Sequence, residues 1–207
     1  MSRTATRKIG SAEVTILTDG ALAFPPDYFP KTESSHIDSL LEQAETRDID
    51  SNFNAVLIRD GGKLTLIDAG PRDLFGPSAG FLPEALQEAG VTPAQISLLF
   101  ATHLHPDHIA GMITPGGSAV FPEAELCVTR GEHDFWSDEA RTNSAGAPVS
   151  DWGALARTVL AAYGDRLRII PEGSEIAPGL TSVPLPGHTP GHSGWRLSPG
   201  DKQLIHV

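Results

Sequence analysis

The run Thr102-His103-Leu104-His105-Pro106-Asp107-His108 places three imidazoles and a carboxylate within six residues, His103 to His108. Neutral imidazole with carboxylate is a ligand set that suits zinc and several other first-row metals. His103 and His105 are two apart, so in an extended loop both rings point the same way and share one ion. Pro106 breaks that extension and turns Asp107 and His108 toward a neighbouring position, so one loop can feed two metals. Desolvating this many imidazoles without an ion would be costly.

Immediately upstream, Ser97 to Ala101 reads as a buried strand, entered through a short helical turn that the capping box Thr92-Pro93-Ala94-Gln95 starts. The histidine loop therefore hangs from a strand end, where a rigid sheet holds ligands while leaving them open to substrate. Further back, Val14 to Thr18 reads as a strand. Asn54 to Arg59 and Lys63 to Asp68 read as two more, joined by a tight turn at Asp60-Gly61-Gly62. Phe81 to Ala89 has helical spacing and ends at Gly90. Downstream we read a strand at 125–129, a helical turn at 131–136 and a helix at 151–163. Strands follow at 167–170, 180–185, 194–197 and 203–207, and residues 137–150 read as a mobile surface loop. The alternation of short apolar runs with amphipathic stretches points to an α/β or α+β layer fold, and its order restarts after about residue 122, which hints at two similar halves.

A second element, Pro186-Gly187-His188-Thr189-Pro190-Gly191-His192, flanks His188 with glycines that let the backbone approach closely. His188 is expected as the third imidazole of the first metal, and His192 as a supporting residue beside it. Asp68, closing a strand before Ala69-Gly70, is expected to accept a hydrogen bond from a ligating imidazole or tie down the histidine loop, and an Asx-turn there is equally compatible.

Composition narrows the partners. With 26 acidic against 15 basic side chains the formal charge is -11, which repels nucleic acid and anionic membranes, and no basic patch reverses it. Arg3, Arg7 and Lys8 are scattered over what reads as a frayed start. The single cysteine, Cys127, lies in an apolar run and reads as packing, which suits a reducing compartment. No leader or membrane-length apolar run is visible, so the expectation is a cytoplasmic protein of one domain spanning 1–207. His36 and His133 read as surface residues. Ser193 has no nucleophile elbow around it, and no phosphate-cradling glycine loop is present.

These motifs resemble the metallo-β-lactamase superfamily, through Asp68-Ala69-Gly70, His103-Leu104-His105-Pro106-Asp107-His108 and Gly187-His188. A finer resemblance, to the branch of methyl parathion hydrolase and related lactonases, rests on Leu74-Phe75-Gly76-Pro77, Phe121-Pro122-Glu123-Ala124, Asp134-Phe135-Trp136 and the Gly187 to His192 segment. The resemblance implies an αββα sandwich whose second half is incomplete here. It implies one metal on His103, His105 and His188, a second involving Asp107 and His108, and Phe75 and Trp136 lining the substrate pocket. The family pattern has a bridging aspartate just past a strand like 203–207 and a further histidine later, so the reading frame is expected to continue beyond Val207. The implied enzyme uses one or two Zn2+ ions, with Fe or Mn as alternatives. A metal-bound hydroxide would attack a lactone, ester or phosphotriester, and Asp107 would accept a proton or orient the water. A neutral or apolar small molecule is the expected substrate, and a homodimer is left open. Two other readings are an iron-dependent persulfide dioxygenase and a metal-binding scaffold without turnover.

Overall fold

A computed structural model describes residues 2–25, 28–29 and 31–207. Its organising feature is the hairpin between β3 (Ile49–Asp60) and β4 (Lys63–Ile67), closed by Gly61 and Gly62 at φ 55° and 78°. Two consecutive positive φ angles define the turn whose twist matches that of paired strands, and glycine adopts them without steric cost. On the other side β3 pairs antiparallel with β2 (Ala12–Phe24), which pairs with β1 (Thr4–Ile9). From β4 onward the pairing is parallel, through β5 (Leu98–Phe100), β6 (Glu125–Thr129) and β7 (Leu167–Ile170), completing a sheet of seven strands in sequence order. A second, antiparallel sheet has the order β11-β10-β9-β8, with β8 at Glu175–Ala177, β9 at Leu180–Pro184, β10 at Ser193–Leu197 and β11 at Leu204–His206.

Alternation along the strands divides the core into two clusters. Leu99 faces a helical layer containing Leu82, Leu86, Trp136, Val159 and Leu160, while its neighbours Leu98 and Phe100 face the second sheet at Ile176, Leu180, Trp195 and Leu197. A one-residue slip of β5 would exchange the two faces, so its register is strongly specified. Burial on both faces also explains why this parallel strand reads as an unbroken apolar run. The helices are α1 (Ser34–Gln43), α2 (Leu82–Glu88), α3 (Pro106–Ile109), α4 (Arg130–Ser137), α5 (Glu139–Ser144) and α6 (Val149–Tyr163). Every residue of the inter-sheet cluster comes from a strand. Cys127 belongs to it and is fully buried, and burial pushes its thiol up to about 11.

Two expectations are corrected. The start of the chain is not a frayed end, because residues 4–9 form an edge strand laddered onto β2 from Thr4↔Leu17 to Ile9↔Ala12. Residues 137–150 are not a structureless loop. They hold α5, whose N-cap Asp138 accepts the Arg141 amide at 2.9 Å. The polar segment 34–43, which lacks a strong apolar stripe, forms α1 with only Ile37 buried. Among the described residues no helix is long and apolar enough to cross a membrane.

Parallel pairing has one consequence for function. The chain leaves β4, β5 and β6 at a common sheet edge, and there Asp68, the histidine loop and the first turn of α4 come together. In open α/β sheets, ligands bind at the carboxyl ends of such strands.

Candidate metal centre

Asp68 follows β4 and holds the unusual φ of +59° while being only 6% exposed. Its amide donates to the Phe100 carbonyl at 3.0 Å, which pins it to the end of β5. One carboxylate oxygen then accepts the Thr102 amide at 2.9 Å, and the other accepts the Thr102 hydroxyl at 2.8 Å and His108 Nδ1 at 2.8 Å. A left-handed conformation at a non-glycine residue persists only where surrounding bonds hold it. The next residue, Ala69, donates its amide to the His108 carbonyl at 2.7 Å, so the loop is fastened at both ends to residues 68–69. Gly111 allows this close approach, since a Cβ there would stand 1.9 Å from the Ala69 carbonyl oxygen.

Fastened this way, the loop presents His103 and His105 to His188, which arrives on the turn between β9 and β10 in the second sheet. His188 Nε2 lies 3.0 Å from His105 Nδ1 and 3.2 Å from His103 Nε2. All three donor atoms fall within 4.8 Å of one another. Bonds of about 2.0–2.1 Å in tetrahedral directions put ligand nitrogens about 3.3 Å apart, so this spacing fits a single zinc-like ion. Burial, aided by the surrounding imidazoles, holds His103 well below the usual histidine range and His105 down to about 4. Burial also lowers His188. All three rings are therefore neutral near pH 7, the form a metal requires.

His108 and Asp107 stand beside this trio. Burial opposes the imidazolium of His108, but the carboxylates of Asp68 and Asp107 outweigh it and raise its pKa to about 10. Asp107 Oδ2 is 3.4 Å from His108 Nε2. Burial raises the Asp107 pKa, yet its bond to and attraction by His108 bring the net value below the usual carboxylate range. His192 donates Nδ1–H to the Leu185 carbonyl at 3.1 Å, and its ring centroid is 4.9 Å from that of His103. A cavity of about 330 Å3 opens over Asp68, Asp107, His108 and His192, with Phe24 and Phe53 among its walls.

Neither of the two aromatics expected in the pocket wall is among the residues lining this cavity. Trp136 is 2% exposed and belongs to the core, because α4 turns its indole inward to donate to Glu132 at 2.8 Å. It supports His105 from beneath, with ring centroids 5.4 Å apart. Phe75 packs on Phe53 at 5.2 Å, behind the cavity wall. Phe53 lines the cavity, and the half-buried Trp152 stands beside the centre with its ring 4.8 Å from that of His105. Neither has a signal in the sequence beyond being aromatic. His36 is exposed, while His133 is half-buried and pairs with Asp134 at 2.9 Å.

Fold and site together define a mixed α/β protein whose loops gather imidazoles into a potential metal-binding centre. Residues 51–207 match the family model described as the metallo-beta-lactamase superfamily, and the chain belongs to that superfamily. It is similar to metallo-beta-lactamase domain-containing protein 1 of Mus musculus, with 39% identity over 92 residues that cover 42% of this chain and 32% of that protein. Among solved structures it resembles AidC, a dizinc quorum-quenching lactonase in complex with a product, N-hexnoyl-L-homoserine. That similarity has a TM-score of 0.89 and 28% identity, covering 99% of this chain and 73% of that one. It also resembles the hydrolase AbOPH, with a TM-score of 0.92 and 25% identity, covering 100% of this chain and 74% of that one. The match thus spans about a third of the mouse protein and about three quarters of each of these structures.

Proposed function

We propose that this chain is the metal-holding part of a hydrolase that opens a lactone, with related neutral esters and phosphotriesters as further substrates. The carrying observation is the trio of His103, His105 and His188, whose nitrogens are spaced at 3.0 and 3.2 Å. These three residues would hold one ion, with zinc as the first choice, and Asp107 and His108, the latter on releasing its proton, would contribute to a second. A bound ion of this kind activates water and polarises the substrate oxygen.

The chain's own residues supply the rest. Asp107 is ionised and partly exposed to the cavity, so it can orient an attacking water and accept its proton. Attack forms a bond from water oxygen to the acyl carbon, the ring C–O bond breaks, and the departing alkoxide takes up a proton. Phe24 and Phe53 offer apolar surface for a neutral substrate. The formal charge of -11 disfavours polyanions. The dizinc lactonase similarity supports lactones ahead of the other two classes.

The test compares wild type with His103→Ala and His188→Ala for zinc content after dialysis and for turnover of an acyl-homoserine lactone, an aryl ester and a phosphotriester. We expect stoichiometric zinc and lactone turnover in the wild type and loss of both in the variants. Equal metal content in all three proteins would overturn the metal assignment, and zinc-loaded wild type inert on the whole panel would overturn the hydrolase reading.

A further inference from the structure

We propose that Glu132 is the positioning residue of this centre: one buried carboxylate joins the histidine loop to the 185–192 turn and so sets where the His188 imidazole meets those of His103 and His105. The proposal rests on the metal assignment above. His188 comes from a different sheet and is itself exposed, so something other than its own burial must fix the turn that carries it. Two of that turn's bonds to the rest of the protein end on Glu132. Oε1 accepts the Thr189 hydroxyl and the Gly191 amide, the latter at 2.9 Å. The other oxygen, Oε2, accepts the Leu104 amide at 2.9 Å and the Trp136 indole N–H at 2.8 Å.

Three of the four donors adjoin a ligand. Leu104 lies between His103 and His105, Thr189 follows His188, and Trp136 edges the His105 ring. Glu132 is 0% exposed, and burying a carboxylate is costly unless its acceptor positions are filled. Four donors match the acceptor capacity of the group. Backbone packing acts in the same direction. A Cβ at Gly191 would stand 2.3 Å from the Glu132 amide nitrogen, so the turn rests directly on the first turn of α4, and the Thr129 hydroxyl donates to the Gly191 carbonyl at 2.9 Å. An acid needed only to fill space would be worse there than an apolar side chain of similar volume. Each of its oxygens instead takes at least one bond from a different ligand-bearing segment.

Glu132→Gln tests this with little change of shape. Whichever way the amide is placed, its NH2 opposes a backbone N–H, either that of Gly191 or that of Leu104. Thr189→Val removes one donor, and Thr189→Ser restores it. Zinc affinity of each metal-stripped protein is measured by competition with a chromophoric chelator. The visible spectrum of the Co2+ forms reports ligand geometry, and metal-free melting reports folding. Loss of an outer partner of a ligand typically weakens metal binding by about 10–100-fold, and we expect Glu132→Gln in that range with an altered Co2+ spectrum. Thr189→Val should fall between it and wild type, and Thr189→Ser should lie close to wild type. A lower metal-free melting temperature with unchanged zinc affinity and Co2+ spectrum would mean a purely structural role and overturn the proposal. If Glu132→Gln does not fold, Thr189→Val decides, and wild-type affinity there overturns it. Unchanged affinity in His188→Ala as well would instead overturn the metal assignment.

Discussion

Asp19 is the extra residue of a bulge in β2, between the partners Thr18↔Asn54 and Gly20↔Phe53. The bulge turns its side chain inward, where one oxygen accepts the Leu82 amide and the other has no partner among the described residues. Burial raises its pKa from 3.8 to about 6, against the pull of the backbone amides around it. Between those values the folded chain holds a proton that the unfolded chain has lost, so stability falls as pH rises through this window. His105, held down to about 4, slopes the opposite way up to its ordinary 6.5, which would mask the effect in wild type alone. Subtracting Asp19→Asn, which keeps His105, isolates it. In urea unfolding, the stability of wild type relative to the variant should decline between pH 4 and 6 and level off above about 7. Parallel curves would show that Asp19 does not titrate there. Residues of this kind are hard to read in advance. Thr18-Asp19-Gly20 looks like any polar turn, and Gly131-Glu132-His133 looks like an exposed helical turn, whereas the histidine cluster carries its chemistry in its spacing.

The contact between α5 and α6 shows the same limit for a whole element. Glu139-Ala140-Arg141-Thr142-Asn143-Ser144 has no apolar periodicity, so nothing in it predicts a helix. Its helix exists because Thr142 is buried against Gly153 of α6 and accepts a bond from Arg157 at 3.0 Å. Two effects compete in Gly153→Ala. Alanine favours a helix interior by about 1 kcal/mol. A Cβ at position 153, however, would stand 2.7 to 2.9 Å from three atoms of the Thr142 side chain. Overpacking of this type costs about 1–3 kcal/mol, so we expect a net loss of about 1 kcal/mol in chemical denaturation. A gain in stability would mean that α5 is free to move away. The edge strand β1 has no periodic signal in the sequence for a related reason. Its residues are mostly exposed, and pairing with β2 rather than burial defines it.

For the whole molecule, the important distance is along the chain. His105 and His188 are 83 residues apart, and they belong to loops on different sheets, so an ion held by both would cross-link the two layers. A ligand bound only by the folded state at a hundred times its dissociation constant stabilises by about 2.7 kcal/mol. For a chain of 207 residues that corresponds to a rise in melting temperature of about 5–10 °C on adding zinc, reversed by chelator and absent in His188→Ala. Identical melting with and without zinc would argue against an ion shared between the loops. The sequence alone determined the layer fold's main strands, the Gly61-Gly62 hairpin and the kind of ligands present, because strand alternation, tight turns and a six-residue ligand cluster are local properties. The Gly/Pro turn and the family resemblance already pointed to His188 beside His103 and His105, but the tertiary structure was needed to show that Glu132 joins their loops and that Trp136 lies under the site. Those facts depend on which distant segments share a sheet edge, and no local period of the chain records that.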